Sequence, residues 1–74
     1  MLSIKREDVP TETGKKLYDL LKKSWDNQNF IYSVLMRLRG DTNKQKLIDL
    51  IEKEGITDSY TITLASIDIA DGEI

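Results

Sequence analysis

Serines, carboxylates and lysines are the side chains of this sequence that could do chemistry, because the chain contains no histidine and no cysteine. Histidine is the usual general base near neutral pH, so the hydroxyls of Ser24, Ser33, Ser59 and Ser66 have no such partner to activate them. None of these serines precedes a lysine at the Ser-x-x-Lys spacing. We therefore expect no catalytic residues and predict that the protein is not an enzyme.

The carboxylates do not suggest a metal site. Three acids crowd the end of the sequence, where Asp71-Gly72 resembles the middle of a calcium-binding loop. In that alignment Ile67 and Ile69 occupy two positions that require oxygen ligands. We expect no metal and no cofactor, and we expect an acidic, frayed end over residues 71–74.

A group of lysines on the first predicted helix is the clearest candidate for binding phosphate. Lys15, Lys16, Lys22 and Lys23 fall on the arc opposite the apolar stripe of that helix, interrupted only by Asp19. Such a row neutralises phosphates without reading a base sequence. A solvated helix surface explains the same residues, and the chain carries a net charge of −2. We therefore do not expect nucleic acid to be the partner.

The nucleic-acid alternative draws on a second helix as well. The short connection at residues 40–43 joins two predicted helices as in a helix-turn-helix, with Lys44 and Lys46 at the start of the recognition helix. Helical hairpins built only for packing have equally short connections, and DNA-binding domains are generally basic. The alternative function is a small helix-turn-helix-like domain that binds nucleic acid through six lysines: Lys15, Lys16, Lys22, Lys23, Lys44 and Lys46.

Surplus apolar side chains favour a protein partner instead. Tryptophan, tyrosine and methionine are enriched in protein–protein contacts, and we assign the partner-binding surface to Trp25, Tyr32, Met36 and Tyr60. Enclosure of these side chains in a small core is the competing interpretation. The predicted function is a non-catalytic protein–protein interaction module. Such a module would be a small accessory or inhibitory protein that binds another protein or a second copy of itself as a homodimer.

The helix that must position Tyr32 and Met36 is the most apolar stretch of the chain. Seven of the nine residues in 30–38 are apolar or aromatic, and they cover about 240° of a helical wheel. An ordinary surface helix hides an arc of little more than 100°. We therefore predict an all-α fold, a small bundle of three to four helices around a central apolar helix at residues 28–39.

Two further helices are predicted at residues 11–25 and 43–54, each with one apolar stripe. Thr11 or Thr13 can supply the capping oxygen of the first helix, and Asp26 or Asn27 can supply that of the central helix. Gly40 and Gly55 can take the left-handed conformation that closes a helix, so we expect them to end the second and third helices.

The last segment, residues 57–70, admits two interpretations. Residues 59–64 alternate as a strand does, and pairing them with residues 2–5 gives an α+β fold. A helix fits the capping residues at 57–58 and the exit at 71–72, and it leaves apolar stripes on opposite sides. We favour the helix and keep the two-stranded pairing as the alternative.

The charge distribution and the ends complete the prediction. Residues 1–74 form a single domain that begins with a polar arm, residues 1–9. Residues 1–25 carry six bases and four acids, whereas residues 55–74 carry four acids and no base. No run of residues is apolar enough for a signal peptide or a membrane span. We expect a cytoplasmic protein without membrane contact.

Overall fold

Four α-helices build the protein, and the computed structural model describes residues 2–74. A single turn of 3₁₀ helix (Arg6–Asp8) precedes α1 (Glu12–Ser24), α2 (Gln28–Arg37), α3 (Gly40–Glu54) and α4 (Ser59–Ala70). No strand occurs within residues 2–74. The predicted all-α bundle is confirmed. The alternative pairing of residues 2–5 with 59–64 is wrong, because residues 59–64 lie in α4.

Side-chain caps fix the start of three helices. The side chain of Thr11 accepts a hydrogen bond from the amide of Gly14 at the start of α1. Asn27 caps α2 and Asp58 caps α4 in the same way. These caps satisfy amide groups that have no partner inside the first turn of a helix, so the breaks between helices follow from local sequence.

The junction between α2 and α3 differs from the prediction. Gly40 is left-handed as expected, with φ +77°, but it opens α3 instead of closing α2. Consequently α2 ends at Arg37 and α3 begins ahead of Asn43. The ammonium of Lys44 donates a hydrogen bond of 2.7 Å to the carbonyl of Leu38. A side chain of α3 thus satisfies a carbonyl at the end of α2.

Gly55 closes α3 as predicted. Its φ is +64°, and the next amide, that of Ile56, donates to the carbonyl of Ile51 at 3.2 Å. This long backbone bond is the one expected after a left-handed closing glycine. The side chain of Ile56 packs back against the core.

One cluster of buried side chains fills the centre of the bundle. The main contacts join α1 to α2 and α3, and join α4 to α2 and α3. The helices α2 and α3 therefore lie at opposite corners. The buried apolar residues are Val9, Leu17, Tyr18, Leu21, Phe30, Ile31, Val34, Leu35, Leu38, Leu47, Ile48, Ile51, Ile62, Ala65 and Ile69.

The N-terminal arm supplies further cover for α2. The amide of Leu2 donates to the side-chain oxygen of Asn29 at 3.1 Å, and that of Ile4 donates to Gln28 at 2.9 Å. Further along the arm, the side chain of Val9 is buried in the core. The broad apolar surface of α2 is thus covered from several sides, by α1, by α4 and by the arm.

The acidic end that we expected to fray, residues 71–74, is exposed. Gly72 takes the left-handed conformation with φ +79°. Its amide donates to the carbonyl of Ile69 at 3.0 Å, and the amide of Glu73 donates to that of Asp68 at 2.9 Å. This pair of bonds closes α4.

Candidate protein-binding surface

Three of the four residues predicted to bind a partner are exposed. Tyr60 is 72% exposed, and Trp25 and Met36 are each 51% exposed. Tyr32 is half-buried. None of these four side chains belongs to the buried core cluster of the bundle.

Trp25 and Met36 each have one side packed within the fold. The ring of Trp25, at the end of α1, lies against Phe30 with 5.6 Å between ring centroids and 40° between ring planes. Met36 lines a small cavity of about 140 Å³ together with Leu35 and the N-terminal arm. Both side chains therefore contribute to packing at the junctions of elements, and neither stands free of its surroundings.

Tyr60 belongs to an apolar row on the outside of α4. Leu64 is 45% exposed and Ile67 is 38% exposed. At spacings of four and three residues these side chains fall within about 60° of the helical wheel. We call this row the α4 outer stripe (Tyr60, Leu64, Ile67).

The opposite side of α4 faces the core, where Ile62, Ala65, Ser66 and Ile69 are buried. A surface helix usually carries polar side chains on its outer face, and a helix that is apolar on both sides is typical of a buried position. α4 combines an apolar outer face with a surface position. The outer stripe is therefore not explained by the folding of the chain on itself.

Sequence reasoning identified only one member of this stripe. The two opposed stripes of α4 were visible in the spacing, but Leu64 and Ile67 were not assigned to the partner-binding surface. The signal that could have found them is their regular spacing from Tyr60 in a segment whose other stripe suffices for the core.

Negative charge surrounds the C-terminal end of the outer stripe. Asp68 follows Ile67 directly, and Asp71 lies one turn further along the same line. Within residues 2–74 the ion pairs join Arg6 to Asp19 and Lys16 to Glu52, so neither Asp68 nor Asp71 takes part in one. The negative end of the helix dipole lies at the same place.

The N-terminal end of α4 is also acidic. The carboxylate of Asp58 accepts hydrogen bonds from the hydroxyl of Thr61 at 2.7 Å and from its amide at 2.8 Å. These bonds lower the pKa of Asp58 below its ordinary value, the hydroxyl bond contributing most. The group is thus ionised near neutral pH, where it also favours the positive end of the helix.

Four of the six lysines of the nucleic-acid alternative are engaged with oxygen atoms of the chain. The ammonium of Lys15 donates to the carbonyl of Val9 at 2.7 Å, and Lys44 bonds to Leu38 as described above. Lys16 lies 3.4 Å from the carboxylate of Glu52, and Lys46 donates to a main-chain oxygen of Ile74 at 3.3 Å. These bonds orient the lysines towards the fold.

The other two lysines, Lys22 and Lys23, lie in different surroundings. Lys23 lines a cavity of about 150 Å³ between the ends of α1 and α3. Lys22 lines a depression of about 580 Å³ where the N-terminal arm crosses α1. Carboxylates share that depression, whose lining residues are Ser3, Ile4, Lys5, Arg6, Glu7, Tyr18, Asp19, Lys22 and Gln28.

Within this depression one pair of opposite charges is in contact. The guanidinium of Arg6 donates to the carboxylate of Asp19 at 3.0 Å, and this hydrogen bond raises the pKa of Arg6 above its ordinary value. A helix-turn-helix also requires its two helices to pack as a unit, whereas α2 and α3 lie at opposite corners of the bundle. These contacts do not favour the nucleic-acid alternative, which stays a prediction.

Metal ligands, membrane spans and relatives add no further assignment. Residues 2–74 contain no cluster of three or more acidic side chains that could hold a metal ion, and none of their helices has the length and apolar character needed to cross a membrane. Comparison of the chain with protein-family models, curated proteins and solved structures returns no match.

Proposed function

We propose that the protein is a non-catalytic protein–protein interaction module that binds its partner through the outer face of α4. The observation that carries the proposal is the exposure of Tyr60, Leu64 and Ile67 in one row, on a helix whose other side already fills the core. Contiguous apolar surface on a small domain is typical of an interaction site.

The composition of the stripe suits this role. Tyrosine is among the residues that contribute most to binding energy when a partner covers it, because it combines a large apolar ring with a polar tip. Leucine and isoleucine provide the apolar surface beside it. Residues at these helical spacings form a ridge that fits the groove of a second helix.

The side chains of this protein suit binding better than catalysis. The chain has no histidine or cysteine to act as base or nucleophile. A module of this kind acts by occupying a surface of a larger protein. That is the action of a small accessory or inhibitory protein.

Site-specific photocrosslinking tests the proposal. A benzophenone amino acid is introduced at Leu64 in cells that produce the protein, and the matched control carries it at Lys53, an exposed position of α3. We expect irradiation to give a discrete protein adduct from position 64 and none from position 53. Equal labelling from the two positions, or no adduct from position 64, would contradict the proposal.

A further inference from the structure

We propose that the partner segment seated on the α4 outer stripe is a basic amphipathic helix. This inference rests on the proposed function, because it names the chemistry of the partner for the same surface. Two features carry it: the helical spacing of the apolar row and the negative charge of Asp68 and Asp71, which form no ion pair within residues 2–74.

The apolar row selects a helical partner. Tyr60, Leu64 and Ile67 follow one line along about two turns of α4. A partner helix with apolar residues at matching spacings of three and four can lay its own row beside this one, as amphipathic helices do on apolar surfaces of their targets. Exposed backbone edges that could recruit a strand do not occur among residues 2–74, which form no strand.

The charge of the segment selects a basic partner. Residues 55–74 contain four acids and no base. Asp68 and Asp71 lie in the last turn of α4 and beyond it, where the helix dipole favours cations and disfavours carboxylates. Neither has an ion-pair partner in the described chain. Lysine or arginine side chains that flank the apolar row of a partner would supply the missing opposite charge.

A second copy of the chain fits this surface less well. In an antiparallel pairing of two α4 helices about Leu64, the acidic segment of one chain lies along the acidic segment of the other. In a parallel pairing each carboxylate meets its own counterpart. Both arrangements bring like charges together and supply no base from residues 55–74. Repulsion of this kind suppresses wrong partners.

The test uses two synthetic helical peptides with the same apolar row. Each has about 16 residues, enough for a marginally stable helix, with leucines at spacings of three and four. One peptide carries lysine at the flanking positions and the other carries glutamate. Each is labelled with a fluorophore, and its binding to the full chain is measured by fluorescence anisotropy.

We expect the lysine peptide to bind at least about tenfold more tightly than the glutamate peptide, because the two differ only in the sign of their charge. Raising the salt concentration from about 50 mM to about 500 mM screens exposed charges. It should therefore lower the affinity for the lysine peptide and reduce the difference in affinity between the two peptides. Leu64→Ser should lower the affinity for the lysine peptide by about tenfold.

Two variants separate charge from apolar contact. Asp68→Asn combined with Asp71→Asn should reduce the affinity for the lysine peptide and its dependence on salt, while leaving the apolar row intact. Leu2→Ser, at an exposed leucine of the N-terminal arm, is the matched control for Leu64→Ser and should leave binding unchanged. Circular dichroism verifies that each variant keeps its helical content.

The outcomes distinguish this inference from the proposed function. If both peptides bind equally well and Leu64→Ser abolishes the binding of both, the inference of a basic partner is overturned. The proposal that the α4 outer stripe binds a partner is then unaffected. A concentration-dependent dimer that Leu64→Ser converts to a monomer shows that a second copy of the chain binds the stripe. This result also overturns the inference of a basic partner without overturning the proposed function. Absence of lysine-peptide binding, or binding unaffected by Leu64→Ser, overturns the inference, and the crosslinking result then decides the proposed function.

Discussion

The guanidinium of Arg37 on α2 donates a hydrogen bond of 2.9 Å to the hydroxyl of Ser66 on α4. Ser66 is fully buried and is the one buried polar residue within residues 2–74. Its hydroxyl also donates to the carbonyl of Thr63 at 2.7 Å. Both sides of α4 are apolar, and this bond helps to determine which side faces the core. Rotating α4 to bury Tyr60 would separate Ser66 from Arg37.

Replacement of this serine should therefore destabilise the bundle. Ser66→Ala removes the acceptor for a charged donor, and we expect the free energy of unfolding to fall by about 1 kcal/mol, since the half-exposed Arg37 can turn to water. For a domain of this size that corresponds to a decrease in Tm of about 4–8 °C. Thermal unfolding followed by circular dichroism measures the change.

Ser24→Ala is the matched control for this variant. The hydroxyl of Ser24 bonds only weakly to the carbonyl of Leu20 in its own helix, at 3.4 Å, so its loss should change Tm little. Equal Tm values for Ser66→Ala and the unmodified chain would show that the bond between α2 and α4 contributes nothing to stability.

The helices and their caps could be predicted because they depend on local sequence. Thr11 and Asn27 stand where an apolar stripe begins, and their short side chains reach amides only a few residues away. The left-handed conformation of Gly40 was predictable for the same reason. Whether Gly40 ends α2 or begins α3 was not, because the contact of Lys44 with Leu38 depends on how the two helices meet.

The candidate site was only partly predictable, since exposure is a property of packing. The two stripes of α4 are similar in apolar character, and periodicity alone does not say which one faces the core. Packing against the neighbouring helices and the bond from Arg37 to Ser66 determine which stripe faces the core. Tyr60 was assigned to the surface by its residue type, and Leu64 and Ile67 were missed because their types are also typical of cores.

The close approach of the N-terminal arm to α1 gives a second stability prediction. A Cβ added at Gly14 would lie 2.5 Å from Cγ1 of Val9 and 3.1 Å from Oγ1 of Thr11. Alanine gains about 1 kcal/mol over glycine inside a helix, but overpacking against a stiff, buried valine costs about 1–3 kcal/mol. We expect Gly14→Ala to be destabilising by about 1 kcal/mol in urea unfolding.

The double variant tests the cause of this effect. Val9→Ala removes the methyl group that the new Cβ would meet, so Gly14→Ala should be tolerated better in that background. The two changes should show a coupling energy of at least about 0.5 kcal/mol. Strictly additive effects would mean that the contact between the arm and α1 does not cause the loss of stability in Gly14→Ala.

Two residues of α4 should differ strongly in their response to the same truncation. Ile62 is fully buried, and Ile62→Ala should lower the free energy of unfolding by about 2–5 kcal/mol because it leaves a cavity. Leu64 lies on the outer stripe, and Leu64→Ala should change the free energy of unfolding by no more than about 0.5 kcal/mol. Urea titrations of the two variants make the comparison, and a large loss for Leu64→Ala would show that the outer stripe is needed for folding.

The cap of α4 should make stability depend on pH in the acidic range. Hydrogen bonds from Thr61 hold the pKa of Asp58 below its ordinary value in the folded chain. The ionised form therefore stabilises the fold above the unfolded pKa of about 4. That contribution is lost as the pH falls from there through the lower folded pKa.

Asp58→Asn isolates this contribution, because asparagine keeps a capping oxygen but does not titrate. We expect the unmodified chain to have the higher Tm near neutral pH, since its carboxylate also favours the positive end of the helix. The difference should shrink below about pH 4 as Asp58 becomes protonated. The other acids are common to both chains, so their titration cancels in the difference. Tm curves that stay parallel from about pH 7 to about pH 2 would show that the cap does not couple Asp58 to folding.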